Sequence, residues 1–348
     1  MRLSAAIIAR NEEAYIGDCL ASIRPLVDEV VVIDTGSTDI TPDIVREHGA
    51  IMEHVEWCND FAWARNIALD KANGDWILYV DADETVAVKD DISPFLADPS
   101  AIAGRVLFQA SHRLTSYREY RLFRNRPDIR FRGKIHESVV PDINAIVARG
   151  EGRIIDLPVE FTHHGYEGDL RHKHRRNAPI LNDAVKDDPT RVYLWYALGE
   201  ALAGLGSYRE AEAARRQALV LINERPPHPS DVLVYAHILD MHLDIPSVSL
   251  PDAPELLSDM RRQHPADPYT IWYHARFLAL DGNYELCRKE AERLIAFGPE
   301  GPDQSLIGYD RLLFTSLPLS LIATCFLKQS ALVEAHSYFA RAQQLDPD

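Results

Sequence analysis

Three short apolar runs, residues 3–9 (LSAAIIA), 27–34 (VDEVVVID) and 75–83 (DWILYVDAD), constrain this chain more than any other feature, and helical patterns separate them. A strand that is apolar along its whole length must be covered on both faces, which favours a parallel sheet between helices. The expectation is an α/β domain with a mostly parallel sheet and helices on both faces. Helices are expected in EEAYIGDCLASI, in STDITPDIVREHG with a Ser or Thr cap and a Gly stop, and in DFAWARNIALDKANG closed by Gly74. Ligands of such sheets sit beyond the carboxyl ends of the strands. The residues to read are therefore Arg10 and Asn11, residues 34–39, and residues 81–84.

From about residue 169 the rhythm becomes helical only. In RVYLWYALGEALAGLGSYREAEAARRQAL, the residues Trp195, Leu198, Gly199, Leu202, Gly206, Tyr208, Ala211 and Ala218 stand where a tetratricopeptide repeat (TPR) prefers them. Small residues such as Gly199 and Ala211 mark the closest approach of two antiparallel helices. The last stretch fits through Ala335, Phe339, Ala342 and Pro347, and two weaker helix pairs lie between. The expected organisation is residues 1–168 as the α/β domain and residues 169–348 as an all-α, TPR-like helical-repeat domain. An ordinary helical bundle is the alternative.

Composition excludes some classes of function. A net charge of -16 over 348 residues argues against a nucleic-acid binder, which needs a lysine and arginine surplus. No run approaches the roughly 18 apolar residues of a membrane span, and the start MRLSAAIIARNEE is too short an apolar run for a secretory leader. The four cysteines are scattered without paired spacing, which reads as buried free thiols in a reducing cytoplasm. The expected location is cytoplasmic.

Asp81 and Asp83 stand two apart at the end of a strand, so both carboxylates can face one side where the backbone stays extended. Close carboxylates repel, and a divalent cation relieves this. Hard oxygen ligands favour Mn2+ or Mg2+ over zinc, and such a cation suits a diphosphate leaving group. A structural turn or cap is the bland alternative.

AAIIARNEEAYIGDCLASI, VVVIDTGSTDIT, FAWARNIALDKANGDWILYVDADE and YRLFRNRPDIRFRGKIHESV together resemble the family 2 glycosyltransferases of GT-A fold. More narrowly, they resemble the bacterial branch that carries tetratricopeptide repeats behind the catalytic domain. The resemblance implies a Rossmann-like GT-A domain and inverting transfer from a nucleotide-sugar, usually a UDP-sugar, with Mn2+ or Mg2+. Carried over by position, Ala9 and Asn11 border the nucleotide, and Asp34 accepts from the uracil imide or else caps the turn at residues 36–39. Arg65 lies over the base or diphosphate, or else forms a surface ion pair. Asp81 meets the ribose or the metal edge, Ala82 lines the donor site, and Asp83 is the direct metal ligand. Gly74 and Asp75 shape the turn into the strand.

Glu137, in the G-x-I-H-E element, is the first choice for the catalytic base, and His136 is the runner-up or its positioning partner. The more familiar Glu-Asp base motif is not evident, so Asp128 and Glu119 stay open. His163, in an H-x-G-Y element, is a candidate third metal ligand ahead of His164, or else packs at a domain seam. His172 and His174 are expected to face solvent. The leading acceptor is a peptide or protein held by the repeats, with a cell-surface polysaccharide precursor as runner-up. The repeats could equally mediate a homodimer. A catalytically quiet scaffold with a relic nucleotide-binding domain is the reading from another class.

Overall fold

A computed structural model describes residues 1–165, 171–245, 250–303 and 305–346. The chain divides into two compact units, Met1–Ser111 with Tyr117–Leu170, and His112–Ser116 with Arg171–Asp348. The expected boundary after residue 168 lies outside the described residues, as do Tyr166 of the H-x-G-Y element and Pro347 of the last repeat.

The first unit is built on one sheet of eight strands. They are β1 (Leu3–Ala9), β2 (Glu29–Asp34), β3 (Ile51–His54), β4 (Trp76–Asp81), β5 (Glu84–Val88), β6 (Ala101–Gln109), β7 (Tyr117–Arg124) and β8 (Arg153–His163). Their order across the sheet is β3-β2-β1-β4-β7-β6-β8-β5. The first four run parallel, with β1 central and buried at nearly every position, as its unbroken apolar run requires. Beyond β4 the sheet is mixed: β7 pairs antiparallel with β4 and β6, β8 runs parallel to β6, and β5 returns antiparallel along β8. The parallel half is the expected α/β layer, and the apolar runs did not announce the mixed half.

Helices α1 (Ile16–Ile23), α2 (Thr41–Glu47), α3 (Phe61–Lys71), α4 (Ser93–Ala97) and α5 (Val140–Ala148) belong to this unit. Two local expectations change. The N-cap of α2 is Ile40, with no side-chain cap, and Asp39 accepts from Thr41 N–H at 3.0 Å instead. The helix α3 ends at Ala72 rather than on Gly74. Gly74 is required by close approach: a Cβ there would lie 2.5 Å from Ser4 Oγ and 2.8 Å from Ser4 N.

The second unit is helical: α6 (Arg171–Asp187), α7 (Val192–Gly204), α8 (Tyr208–Asn223), α9 (Val232–Asp244), α10 (Ala253–Gln263), α11 (Pro268–Leu280), α12 (Tyr284–Ile295), α13 (Ser316–Lys328) and α14 (Leu332–Leu345). The four expected helix pairs are α7–α8, α9–α10, α11–α12 and α13–α14, the TPR-like arrangement read from the sequence. Helices α7 and α8 meet at Gly199, where a Cβ would lie 2.7 Å from Arg215 Cγ and 3.2 Å from the Ala211 carbonyl. Tyr235, Tyr273, Ile238 and Met260 fill the core of this unit. His174 is half-buried and lies where a side chain on Gly204 would collide with it, so it packs rather than facing solvent, while His172 is exposed.

Cys287 and Cys325 bring their thiols within 3.3 Å inside this unit, a pairing that their sequence spacing of 38 hid. Cys19 is buried too, whereas Cys58 is exposed. Among the described residues no helix is long and apolar enough to cross a membrane.

Candidate active site

The parallel strands end at one rim. Register pairs Ala9 with Asp34 across β1 and β2, Ile8 with Asp81 across β1 and β4, and Asp34 with His54 across β2 and β3. Asp34, Ala9, Asp81 and His54 are thus delivered to the same edge by backbone pairing alone. Two loops above this edge are bonded to each other. Asn11, with left-handed φ 56°, donates its N–H to Ser37 Oγ at 2.9 Å, and its side-chain oxygen accepts from Thr38 N–H at 2.7 Å. Glu12 N–H donates to Thr41 Oγ1 at 2.8 Å. The Ala9 carbonyl accepts from Thr35 N–H at 2.9 Å.

The Asp34 carboxylate is turned inward. It accepts from Ser37 N–H at 3.1 Å, and His54 Nδ1 lies 2.7 Å from Oδ2. Burial works to raise its pKa, but the hydrogen bonds from Ser37 and His54 prevail and hold it below the usual carboxylate range. Its side chain is 4% exposed while that of His54 is 65% exposed, so the imidazole is the outward member of the pair. The capping alternative for Asp34 is the one that the geometry displays.

Arg65 projects from α3, whose first turn is capped by Asp60 accepting from Trp63 N–H. It is no surface ion pair. Its guanidinium is buried, donates through Nε to Glu137 Oε1 and through Nη2 to Asp81 Oδ1, both at 2.5 Å, and stands 5.3 Å from the Tyr79 ring centroid. Its Nη1 is buried with no hydrogen-bond partner among the described residues. Asn66 pins the segment that carries Glu137: its side chain exchanges two hydrogen bonds with the Phe131 backbone, at 3.0 and 2.9 Å. Just before Glu137, His136 holds a left-handed φ of 51°.

The carboxylates of residues 81–84 are turned to different partners. The backbone turns at Ala82 and Asp83 instead of staying extended, so the carboxylates part. Asp81 faces Arg65, with Arg121 at 3.8 Å; although burial opposes it, these arginines hold the Asp81 carboxyl well below the usual range. Glu84 is fully buried and takes Arg121 in two hydrogen bonds of 3.1 and 2.7 Å, while accepting from Asp81 N–H at 2.8 Å. Asp83 faces His163, Oδ2 to Nε2 at 3.2 Å. Ala82, between them, is buried. Asp81 is thereby paired with arginine, and among the described residues no three His, Cys, Asp or Glu side chains are grouped for a cation.

Of the two histidines, His163 meets Asp83, while His164 Nε2 sits 2.9 Å from Thr85 Oγ1. Strand pairing explains the split, because Glu84 lies opposite His163 and Thr85 opposite Thr162 on β8. Gly165 makes room: a Cβ there would lie 2.0 Å from Asp83 Oδ2. An oxygen and an imidazole nitrogen 3.2 Å apart can share one cation, and the mixed set suits Mn2+ better than Mg2+. The residues present therefore fit a metal that draws its remaining ligands from solvent or substrate.

The alternative bases separate as well. Asp128 is paired with Arg126 at 2.8 Å, and Glu119 lies 3.3 Å from Arg121. Two residues of this rim, His54 and Arg121, were given no role from the sequence, and Glu84, though among residues 81–84, was given no partner. The signal for Arg121 and Glu84 was present, since a buried strand that ends in an extra carboxylate needs an internal cation, and β7 carries one. Beneath them, the Cys19 thiol lies 3.4 Å from the Asp81 carbonyl, its pKa pushed up by burial and by the nearby Glu84 and Asp81 carboxylates.

The family described as Glycosyl transferase family 2 matches residues 4–148. A TPR repeat-containing protein of Synechococcus elongatus is 35% identical over 249 residues, which cover 69% of this chain and 62% of that protein. The glycosyltransferase SunS of Bacillus subtilis is 27% identical over 222 residues, covering 60% of this chain and 51% of its own. The chain thus spans less than two thirds of either relative. Among solved structures, residues 1–349 of S. aureus TarS in complex with UDP align over 99% of this chain and 92% of that one, at 15% identity and a TM-score of 0.40.

Proposed function

From the premise that this chain belongs, through residues 4–148, to glycosyl transferase family 2, we propose that it moves a sugar from a UDP-sugar to an acceptor with inversion at the anomeric carbon. The observation that carries the reading is the rim itself. Parallel register delivers Asp34 and Asp81 to one edge, and the Arg65 clamp joins that edge to Glu137.

In this reading Ala9 and Asn11 border the nucleotide, and the exposed His54 ring, oriented by Asp34, meets the uracil edge. Arg65, whose Nη1 has no hydrogen-bond partner among the described residues, offers a donor to the diphosphate. Asp81 keeps that guanidinium aimed. Asp83 and His163 would hold Mn2+, which when bound neutralises charge on the departing diphosphate. Glu137 is the proposed base: Arg65 engages Oε1, and Oε2 takes the acceptor proton as the acceptor attacks. His136, strained just before it, sets its direction. The acceptor proposed is a polypeptide, because paired helical repeats offer a ladder of surfaces suited to an extended chain.

The test is a screen of sugar nucleotides with Mn2+ that follows released UDP. Activity with a UDP-sugar is expected, and Asp83→Ala should lower it at least about a hundredfold, the scale of losing a metal-binding group. A folded Asp83→Ala protein with full turnover, or no UDP release with any donor, would refute the reading.

A further inference from the structure

Within the helical unit, α10, α11 and α12 line a cavity of about 340 Å³ that the transferase reading does not use. Arg261 and Arg262, from the last turn of α10, and Arg293, from α12, stand on its wall with the His274 ring of α11. Glu290 is the one carboxylate there; it is paired with Arg293 and lies 3.7 Å from His274 Nδ1. Arg262 is paired with Asp259 at 3.0 Å. Arg261 has no ion pair among the described residues. The wall therefore keeps a cationic surplus.

The His274 imidazole is held below its usual pKa by burial first and then by Arg261, against the opposite pull of Glu290. The volume has room for roughly ten water-sized groups, more than a bare anion fills. Guanidinium groups brought together in this way match a tetrahedral anion, which presents several oxygens at once.

We propose that this cavity is a binding site for a small phosphate ester, its phosphate held by Arg261 and its body seated against Ile271. The site is independent of the proposed transferase chemistry, since none of its residues lies in the sheet unit.

Calorimetric titration of the full chain with a hexose phosphate, inorganic phosphate and neutral hexose tests it. The hexose phosphate is expected to bind most tightly, inorganic phosphate more weakly, and neutral hexose not at all. Arg261→Gln, an exposed change outside the sheet unit, should weaken hexose phosphate about fivefold or more. Absence of binding, or an affinity that Arg261→Gln changes by less than that, overturns the proposal.

Discussion

Arg65 is the residue on which the rim depends. It neutralises two carboxylates from distant parts of the chain, Asp81 and Glu137, while its own surroundings are aromatic. The depressed pKa of Asp81 makes this a pH-dependent bond. Because the folded value lies below the unfolded one, the stabilisation is fully present above the unfolded value of about 3.9 and drains away as pH falls below it. Urea midpoints of wild type and Asp81→Asn should therefore differ more at about pH 5 than at about pH 2.5. A gap that stays constant would refute it. Gly165 gives a second residue-scale prediction. A methyl group 2.0 Å from Asp83 Oδ2 forces that carboxylate aside, so Gly165→Ala should cut Mn2+-dependent UDP release about tenfold or more while circular dichroism is unchanged.

Residues were legible where chemistry and position coincided, as with Asp83 and His163. His54 was not, because β3 is four residues long, lacks an apolar run and is exposed at both ends. Asp34 was found for its position, but its inward turn depends on Ser37 and His54, which no local pattern displays.

Among elements, β1, β2 and β4 were readable because a strand covered on both faces must be apolar throughout. β5 to β8 were not, since their buried positions are interrupted by polar residues such as Arg121 and Glu84 that satisfy each other inside the unit. The helix pairs of the second unit were readable through small residues at fixed offsets. That reading can be checked at Gly199, where a larger side chain meets both Arg215 and the Ala211 backbone. Gly199→Val should destabilise the chain by about 1–3 kcal/mol, the scale of overpacking a close helix contact. Chemical denaturation followed by helix ellipticity would measure it, and an unchanged midpoint would contradict the packing argument.

On the scale of the whole molecule, the division into units is not a division of the chain at one point. Residues 112–116, between β6 and β7, belong to the helical unit: Thr115 N–H donates to the Tyr309 carbonyl at 2.8 Å, and Tyr309 N–H donates to Thr115 Oγ1 at 2.9 Å. Leu114 also forms a bridge with Asp310, and Arg113 pairs with Asp310 at 2.9 Å. Thr115→Val removes a buried acceptor 194 residues away in sequence from its donor, and should cost about 1–3 kcal/mol. The loss should show in the unfolding of the helical unit, measured by urea titration.

This short excursion bears on how such proteins can be recombined. A chimera that exchanges the repeats at a single junction near residue 168 would orphan Thr115 and its neighbours, so grafting succeeds only if the pentapeptide travels with its helices. Shuffling of the repeats between relatives, in the laboratory or in evolution, is thereby tied to three crossovers rather than one.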